Sequence, residues 1–504
     1  MFNSGPLGLS CQAAAREGGR IPAIMANCGA NISHCPLACL WEVILSYIRI
    51  NKHYIHTPYL WLGLVETGAL AGANLWVQSL LSLSPSVYGA VVFAVLLGCC
   101  TLSMGVYGAL LRESLLSMVL RVLVSFCLLG AAALFVLGQL WRIDCYASNA
   151  VFWSVITAGL IVVPLRMAFR ALVDLNQLRR RVVLFGAGMR AQKLLAELAP
   201  EKSTLAIEVV GCIANKNETV EVDQALIMPE PADWLKFAKA EQISEIVICP
   251  DERRRSDGSE FPLVALLDCK LAGIESSYAL SFYERELGKI DLSSLQPSWM
   301  LFSDGFKYSK RSLWAKRILD LLLASTVFLM VWPFMLLTAL AVRLESPGPV
   351  LYHQTRVGLN GRPFRIYKFR SMRTDAEKSG AQWAVKNDAR ITRVGAFIRN
   401  TRLDELPQLY NVLSGSMSFV GPRPERPEFV VDLAKQIPYY ELRHKVKPGL
   451  MGWAQLKYPY GASVDDARHK LQYDLYYTKN HSFFIDILIM IQTVEIILLG
   501  KGVH

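Results

Sequence analysis

The chain has 504 residues, of which 53% are hydrophobic, and its 53 Lys and Arg against 42 Asp and Glu give a net charge of +11. That length holds about three domains. Apolar content combined with basic charge argues against a wholly soluble enzyme. It makes an anionic lipid or a phosphorylated small molecule, and not nucleic acid, the partner for the charge.

Residues 1–30 contain no basic segment leading directly into an apolar core, so no signal peptide is expected there, and residues 1–54 are expected to form a poorly ordered N-terminal segment. Four apolar runs follow, Tyr59–Leu81, Tyr88–Leu111, Met118–Leu140 and Ala150–Phe169. Each is long enough to cross a hydrocarbon layer as a helix of about 20 residues. Arg49 and Lys52 precede the first run, Arg112 and Arg121 flank the turn between the second and third, and Arg166, Arg170 and Arg179–Arg181 mark the end of the fourth. The positive-inside rule therefore places the N-terminus, that turn and everything after residue 170 in the cytoplasm. All eleven cysteines lie before residue 270. Reduced, structural cysteines are expected, and cysteine-ligated zinc is excluded from the C-terminal part.

Arg181–Phe185, the turn Gly186-Ala-Gly188 and a helical pattern to Leu198 read as strand, glycine turn and helix. With further strands at Ile207–Ala214 and Glu245–Cys249, this predicts a Rossmann-like α/β domain over residues 171–305. A dinucleotide fingerprint also wants an acid at the end of the second strand. That strand ends at Ala214-Asn215 without one, and Glu218 comes late. A structural or regulatory domain and a nucleotide-binding one both remain open.

A fifth apolar run, Ile318–Val342, has Lys316 and Arg317 before it, Arg343 after it and Pro333 near its middle. It is long enough to span. A mid-helix proline removes a backbone hydrogen bond and bends a helix, so the alternative is a re-entrant segment over 316–343 with both basic flanks on one face. Parity favours the second, because a fifth full crossing would carry the C-terminal region out of the cytoplasm.

That C-terminal region is basic, with thirteen Lys and Arg against five Asp and Glu between Tyr352 and Arg423. Phe364–Arg373 alternates apolar and basic residues, the period of a strand with cationic side chains that include Arg365, Lys368 and Arg370. Asp404 and Glu405 sit beside Arg399 and Arg402, just before Leu406-Pro407-Gln408-Leu409, which opens a helix that Gly415 ends. Asp404 suits the N-cap of that helix and Glu405 its first turn. The same position also suits phosphate chemistry, in which one acid attacks or binds a divalent metal while arginines neutralise phosphoryl oxygens. Pro422-Arg423-Pro424 pre-organises a guanidinium for bidentate phosphate binding. The basic turn Arg443–Trp453 ends in an aromatic suited to a membrane face, and Asp474 is one further candidate acid. His444 and His469 have no partner at helical spacing, so no histidine metal site is expected. Phe483–Leu499 reads as a final amphipathic helix.

The segments Lys316–Asp320, Ser346–Pro349, Ile366–Met372, Leu403–Leu409, Gly415–Pro424 and Lys447–Gln455, in this order and spacing, closely resemble the bacterial polyprenyl-phosphate hexose-1-phosphate transferases. These are membrane phosphoglycosyl transferases that initiate exopolysaccharide and O-antigen synthesis. The whole chain from about residue 55 is similar to their large form. The resemblance implies a four-helix transmembrane domain over 55–170, a Rossmann-like cytosolic domain, and a monotopic catalytic domain over 310–504 with a re-entrant helix broken at Pro333. Trp332 precedes that proline where some members have serine. It also implies transfer of a hexose-1-phosphate from a UDP-sugar to undecaprenyl phosphate, with release of UMP, at the cytoplasmic face of the bacterial inner membrane. Asp404 is then the nucleophile that forms an aspartyl-phosphosugar intermediate. Glu405 supports it and helps to hold Mg2+, and Lys368, Arg402, Arg423 and Asp474 contact phosphate or substrate. The lipid bilayer is an expected partner, and the large membrane domain suggests a homodimer. Two rivals compete: an NAD(P)-dependent sugar-nucleotide enzyme using the Rossmann-like domain, which shows no Tyr-x-x-x-Lys pair, and a lipid or polymer transporter, for which four plain helices are poor equipment.

Overall fold

The computed structural model describes residues 47–50, 53–103, a few positions between 119 and 130, 148–172, 179–199, 207–215, 218–251, 261–376 except 296, 304, 307 and 308, and 388–499 except 389, 459, 460 and 462. The chain divides into two compact units, residues 1–246 with 250–276, and residues 247–249 with 277–504.

Strands β1 (Tyr47–Ile50) and β2 (His53–His56) pair antiparallel at the end of the segment expected to be poorly ordered. Helices α1 (Thr57–Leu80), α2 (Val87–Ser103) and α3 (Ser148–Leu172) form over the first, second and fourth apolar runs. The third run lies mostly outside the described residues. Leu62, Glu66, Leu70, Ala73, Asn74, Val77 and Gln78 make one buried stripe on α1, and Val151, Ser154, Val155, Ala158, Val162 and Arg166 make another on α3. Both repeat every three or four residues, the spacing of a helix–helix seam. The helices run antiparallel, since Glu66 pairs with Arg166 while Asn74 Nδ2 donates to Ser154 Oγ at 3.0 Å. These helices are therefore not plain. They carry an ion pair and an amide–hydroxyl ladder where a hydrocarbon layer makes such groups costly. Of the described helices, Asn149–Phe169 and Lys310–Glu345 are long and apolar enough to cross a membrane, and Val87–Thr101 is a shorter apolar helix. Four crossings are thus more than the described residues display.

Next come β3 (Arg180–Phe185), α4 (Met189–Leu198), β4 (Ile207–Ile213), β5 (Ile227–Met228), α5 (Trp234–Ala240), β6 (Glu245–Ile248), α6 (Leu263–Leu271) and β7 (Glu275–Tyr278). The sheet order is β5-β4-β3-β6-β7, with β3–β4 and β4–β5 parallel. Val182, Val183, Leu184 and Phe185 are buried in succession, as a strand covered on both faces requires. The order steps outward from β3 to β5 and then returns to β6 on the other side of β3, which makes a Rossmann-like topological switch point.

In the second unit, Leu280 of α7 (Ala279–Leu287), together with Ile290, Leu292 and Leu295, packs into the same core as Leu409, Val412, Phe419, Leu471, Tyr477 and Ile489. Residues 277–305, grouped with the Rossmann-like domain on sequence alone, thus belong with the C-terminal core. Helix α8 (Lys310–Glu345) is a single 36-residue helix that runs on through Pro333, so the break expected at that proline does not interrupt the helix. Strands β8 (Leu351–Val357) and β9 (Pro363–Phe369) pair antiparallel, with Tyr352 opposite Lys368. Then follow α9 (Arg393–Asn400), α10 (Gln408–Ser414), β10 (Ser418–Val420), α11 (Pro427–Gln436), β11 (Gly449–Met451), α12 (Val464–Asn480) and α13 (Phe483–Leu499).

The start of α8 is latched to this core. Lys316 Nζ bonds Asp486 Oδ2 at 2.6 Å and the Val420 carbonyl at 3.1 Å. Arg317 caps the end of α10 by donating to the Val412 and Leu413 carbonyls, and buried Asp320 accepts from Ser418 Oγ and the Phe419 amide at 3.0 Å each. The residues of α8 that pack inward, Leu323, Ala324, Val327, Val331, Met335, Ala339 and Val342, continue on both sides of Pro333. Its other face exposes Leu322, Leu329, Met330, Phe334, Leu336, Leu337 and Leu340.

Candidate active site

Between α9 and α10 the chain makes a tight reversal. Arg402 adopts a left-handed conformation (φ 59°), and Leu403–Glu405 form one 3-10 turn. Helix α10 starts only at Gln408, with Pro407 at its cap and no side chain capping it. Asp404 is therefore not the N-cap that its position before a helix suggested. Leu403 and Leu406 pack with the Val342–Phe369–Ile398 cluster, while Leu409 and Val412 enter the main core. Burying these apolar residues fixes the turn that carries the two acids between them.

Lys368 arrives from β9. Arg423 is set by the pairing of β10 with β11, which the chain extends: the Gly421 amide donates to the Met451 carbonyl at 2.8 Å, and the Gly449 amide to the Pro422 carbonyl at 3.0 Å. A Cβ on Gly449 would lie 2.1 Å from the Gly421 nitrogen, so this approach requires glycine. The two cations converge on one atom: Glu405 Oε1 accepts from Lys368 Nζ at 3.0 Å and from Arg423 Nη2 at 3.2 Å. Burial opposes the Glu405 charge, but Lys368 and Arg423 outweigh it and hold this carboxyl well below the usual carboxylate range. Burial pushes Lys368 down, and Glu405 only partly opposes the shift.

Asp404 is different. It is 8% exposed, yet among the described residues its carboxylate has no hydrogen bond or ion pair. Burial lifts it above the ordinary aspartate range, opposed first by Lys368 and also by Arg399 and Arg402. Arg402 is exposed at the rim of the turn. Arg399, which the sequence alone did not single out as a site residue, acts on Asp404 through charge. Its signal was its place at the end of the helix that leads into the acids.

Asp474 does not join this cluster directly. It is buried against Arg443, with Oδ2 2.8 Å from Nη2, and burial pushes it up to about 6 against that arginine's pull. Arg443 in turn donates to the Tyr440 hydroxyl at 2.7 Å and to the Arg423 carbonyl at 2.9 Å. Asp474 therefore supports the loop that carries Arg423. His444 is pushed down to about 3 by burial and by Arg443. Among the described residues no group of three or more His, Cys, Asp or Glu is placed to hold a metal. The turn offers Asp404 and Glu405 as adjacent carboxylates, a sparse donor set for a divalent cation.

A buried aspartate beside a cation-bound glutamate, in a unit latched to a long apolar helix, is an arrangement suited to chemistry on an anionic group beside an apolar surface. Residues 311–500 match the family model described as bacterial sugar transferase, and residues 103–251 match one described as a CoA-binding domain. A UDP-N-acetylgalactosamine-undecaprenyl-phosphate N-acetylgalactosaminephosphotransferase of Aeromonas hydrophila is 44% identical over 240 residues, 47% of this chain and 55% of that protein. A UDP-glucose:undecaprenyl-phosphate glucose-1-phosphate transferase of Klebsiella pneumoniae is 31% identical over 351 residues, 68% of this chain and 74% of that protein. The exopolysaccharide production protein PSS of Rhizobium leguminosarum bv. phaseoli is 44% identical over 194 residues, 37% of this chain and 97% of that protein. The chain belongs to the bacterial sugar transferase family. It spans about half the length of the Aeromonas relative.

Proposed function

We propose that this chain transfers a hexose-1-phosphate from a UDP-sugar to undecaprenyl phosphate and releases UMP, as the first membrane step of exopolysaccharide or O-antigen synthesis. The observation that carries this is Asp404, a buried carboxylate with no hydrogen bond or ion pair among the described residues, beside the Lys368–Glu405–Arg423 cluster. In the first half-reaction an Asp404 oxygen bonds to the sugar-bearing phosphorus, and the bond from that phosphorus to the UMP oxygen breaks. In the second, a phosphate oxygen of undecaprenyl phosphate attacks the same phosphorus, and the aspartyl oxygen leaves with its electron pair. Splitting the exchange lets a soluble donor and a lipid acceptor use one site in turn.

A carboxylate approaches a diphosphate against like charge. Lys368, Arg423, Arg402 and Arg399 offset that repulsion and stabilise the departing UMP. Glu405 keeps Lys368 and Arg423 fixed and charged. Mg2+, held by Asp404 and Glu405 with the substrate phosphates, supplies further neutralisation when bound.

The inward stripe of α8, unbroken across Pro333, supports a helix that dips into one leaflet. Its packing partners stay beside it along its length, and a full crossing would carry them into hydrocarbon. The site then lies at the headgroup plane of the cytoplasmic leaflet of the inner membrane, within reach of a lipid-borne phosphate.

The test uses membranes holding the full chain, Mg2+, undecaprenyl phosphate and radiolabelled UDP-glucose, UDP-galactose or UDP-N-acetylgalactosamine. Asp404→Asn should lower lipid-extractable product about 1,000-fold or more. Without the lipid acceptor, the unaltered chain should retain sugar label that the variant does not. Full activity in the variant would refute the proposal.

A further inference from the structure

The turn Gly186-Ala-Gly188 has the setting of a phosphate cradle. It follows the first parallel strand, opens α4, and lies at the switch point of the sheet. Similarity to a CoA-binding domain model points to a nucleotide at this place. The residues do not fit that role, because four amides of the turn and the helix start, those of Gly186, Ala187, Met189 and Arg190, already have acceptors. The Met189 amide donates to Asp251 Oδ2 at 2.7 Å, and the Arg190 amide to Asp251 Oδ1 at 2.9 Å. The Ala187 amide donates to Glu218 Oε2 at 2.9 Å, and the Gly186 amide to the Ile213 carbonyl at 2.8 Å. Glu218 Oε2 also accepts from the Asn215 amide at 3.3 Å, and its Oε1 from the Asp251 amide at 3.0 Å. A Cβ on Gly188 would lie 2.2 Å from Asp251 Oδ2, so the close approach that glycine permits is used by a side chain of the protein itself. Glu218, the acid that comes late after the second strand, is present but binds backbone where a cofactor-binding acid would hold a ribose.

We propose that this turn is a closed, self-liganded anion site. The Asp251 and Glu218 carboxylates stand where nucleotide phosphates would, and they clip together the exits of β3, β4 and β6. A diphosphate at this turn meets two like charges and finds the Met189 and Arg190 amides engaged. The domain is a rigid structural module and does not sense CoA or a dinucleotide through the glycine turn.

The experiment is amide hydrogen exchange over residues 187–190 of the full chain in lipid nanodiscs, with CoA, NAD+ and inorganic pyrophosphate as probes. In the unaltered chain none of the three should change exchange there at millimolar concentration. In Asp251→Ala, exchange at Met189 and Arg190 should accelerate at least tenfold, and pyrophosphate should then slow it. Asp251→Asn, which keeps the shape and one acceptor oxygen, should show a smaller acceleration and serves if the alanine variant does not fold. Protection of the unaltered turn by CoA or NAD+ would overturn the proposal. So would unchanged exchange in both variants, or a lack of pyrophosphate protection in a folded Asp251→Ala. None of these readouts involves sugar-phosphate transfer.

Discussion

Asp404 and Glu405 are neighbours in sequence with opposite surroundings, so neutralising each should move stability in opposite directions. Glu405→Gln removes the charge that balances Lys368 and Arg423, with side-chain exposures of 17% for the acid and 20% and 37% for the cations. Removing one partner of a fully buried pair costs about 3–5 kcal/mol, and an exposed pair contributes at most about 1 kcal/mol. This half-buried cluster falls between, at about 2 kcal/mol. A unit of this size shifts by about 2–4 °C per kcal/mol, so the melting transition of the C-terminal unit should fall by about 4–8 °C. Because Glu405 is held below its ordinary range, its contribution is complete at neutral pH and is lost only as pH falls through its depressed pKa. The difference between Glu405→Gln and the unaltered chain should therefore shrink in acid. Asp404→Asn should hold or raise the transition at pH 7. Its pKa is raised, so the fold prefers the neutral form, that stabilisation is lost as pH rises through the raised value, and the amide retains it. Thermal unfolding of the full chain in nanodiscs at pH 7 and at acid pH, followed by tryptophan fluorescence, measures both. Equal destabilisation by the two substitutions would refute the asymmetry on which the assignment of nucleophile and support rests.

Other outcomes follow from the same geometry. Lys368 lowers the Asp404 pKa, so Lys368→Met should slow transfer and move the acid limb of the kcat/KM–pH profile to higher pH; an unmoved limb would mean that Asp404 does not govern it. Asp320→Ala strips the acceptor from Ser418 Oγ and the Phe419 amide and should cost about 2–3 kcal/mol, read as a lowered denaturation midpoint. Gly449→Ala forces β11 away from Gly421 and should destabilise by about 1–3 kcal/mol. Because the same contact sets Arg423, transfer should fall further than stability, by up to about 100-fold in kcat/KM; unaltered kinetics in the folded variant would show that the β10–β11 pairing does not position Arg423.

Local patterns in this sequence became local structure. The apolar runs became helices wherever the chain is described, the alternation around Lys368 became β9, and the strand–glycine–helix pattern became the start of the parallel sheet. Hydrophobic period and turn chemistry act over a few residues, so they can be read without a fold. The identity of the Asp404–Glu405 pair was equally legible, but its division of labour was not. Lys368 and Arg423 stand 37 and 18 positions from Glu405, and only the folded chain brings both to one oxygen while leaving Asp404 bare. The same distance hid the Glu66–Arg166 pair, the burial of Asp474 behind Arg443, and the filling of the glycine turn by Asp251. Even the helix cap misled, because Leu403 and Leu406, which flank the acids, gain more by entering the Val342–Phe369–Ile398 cluster than Asp404 gains by capping, and the helix starts after it. Which residues carry charge was fixed along the chain; which charges are spent on one another, and which carboxylate is left free to react, was decided by tertiary packing.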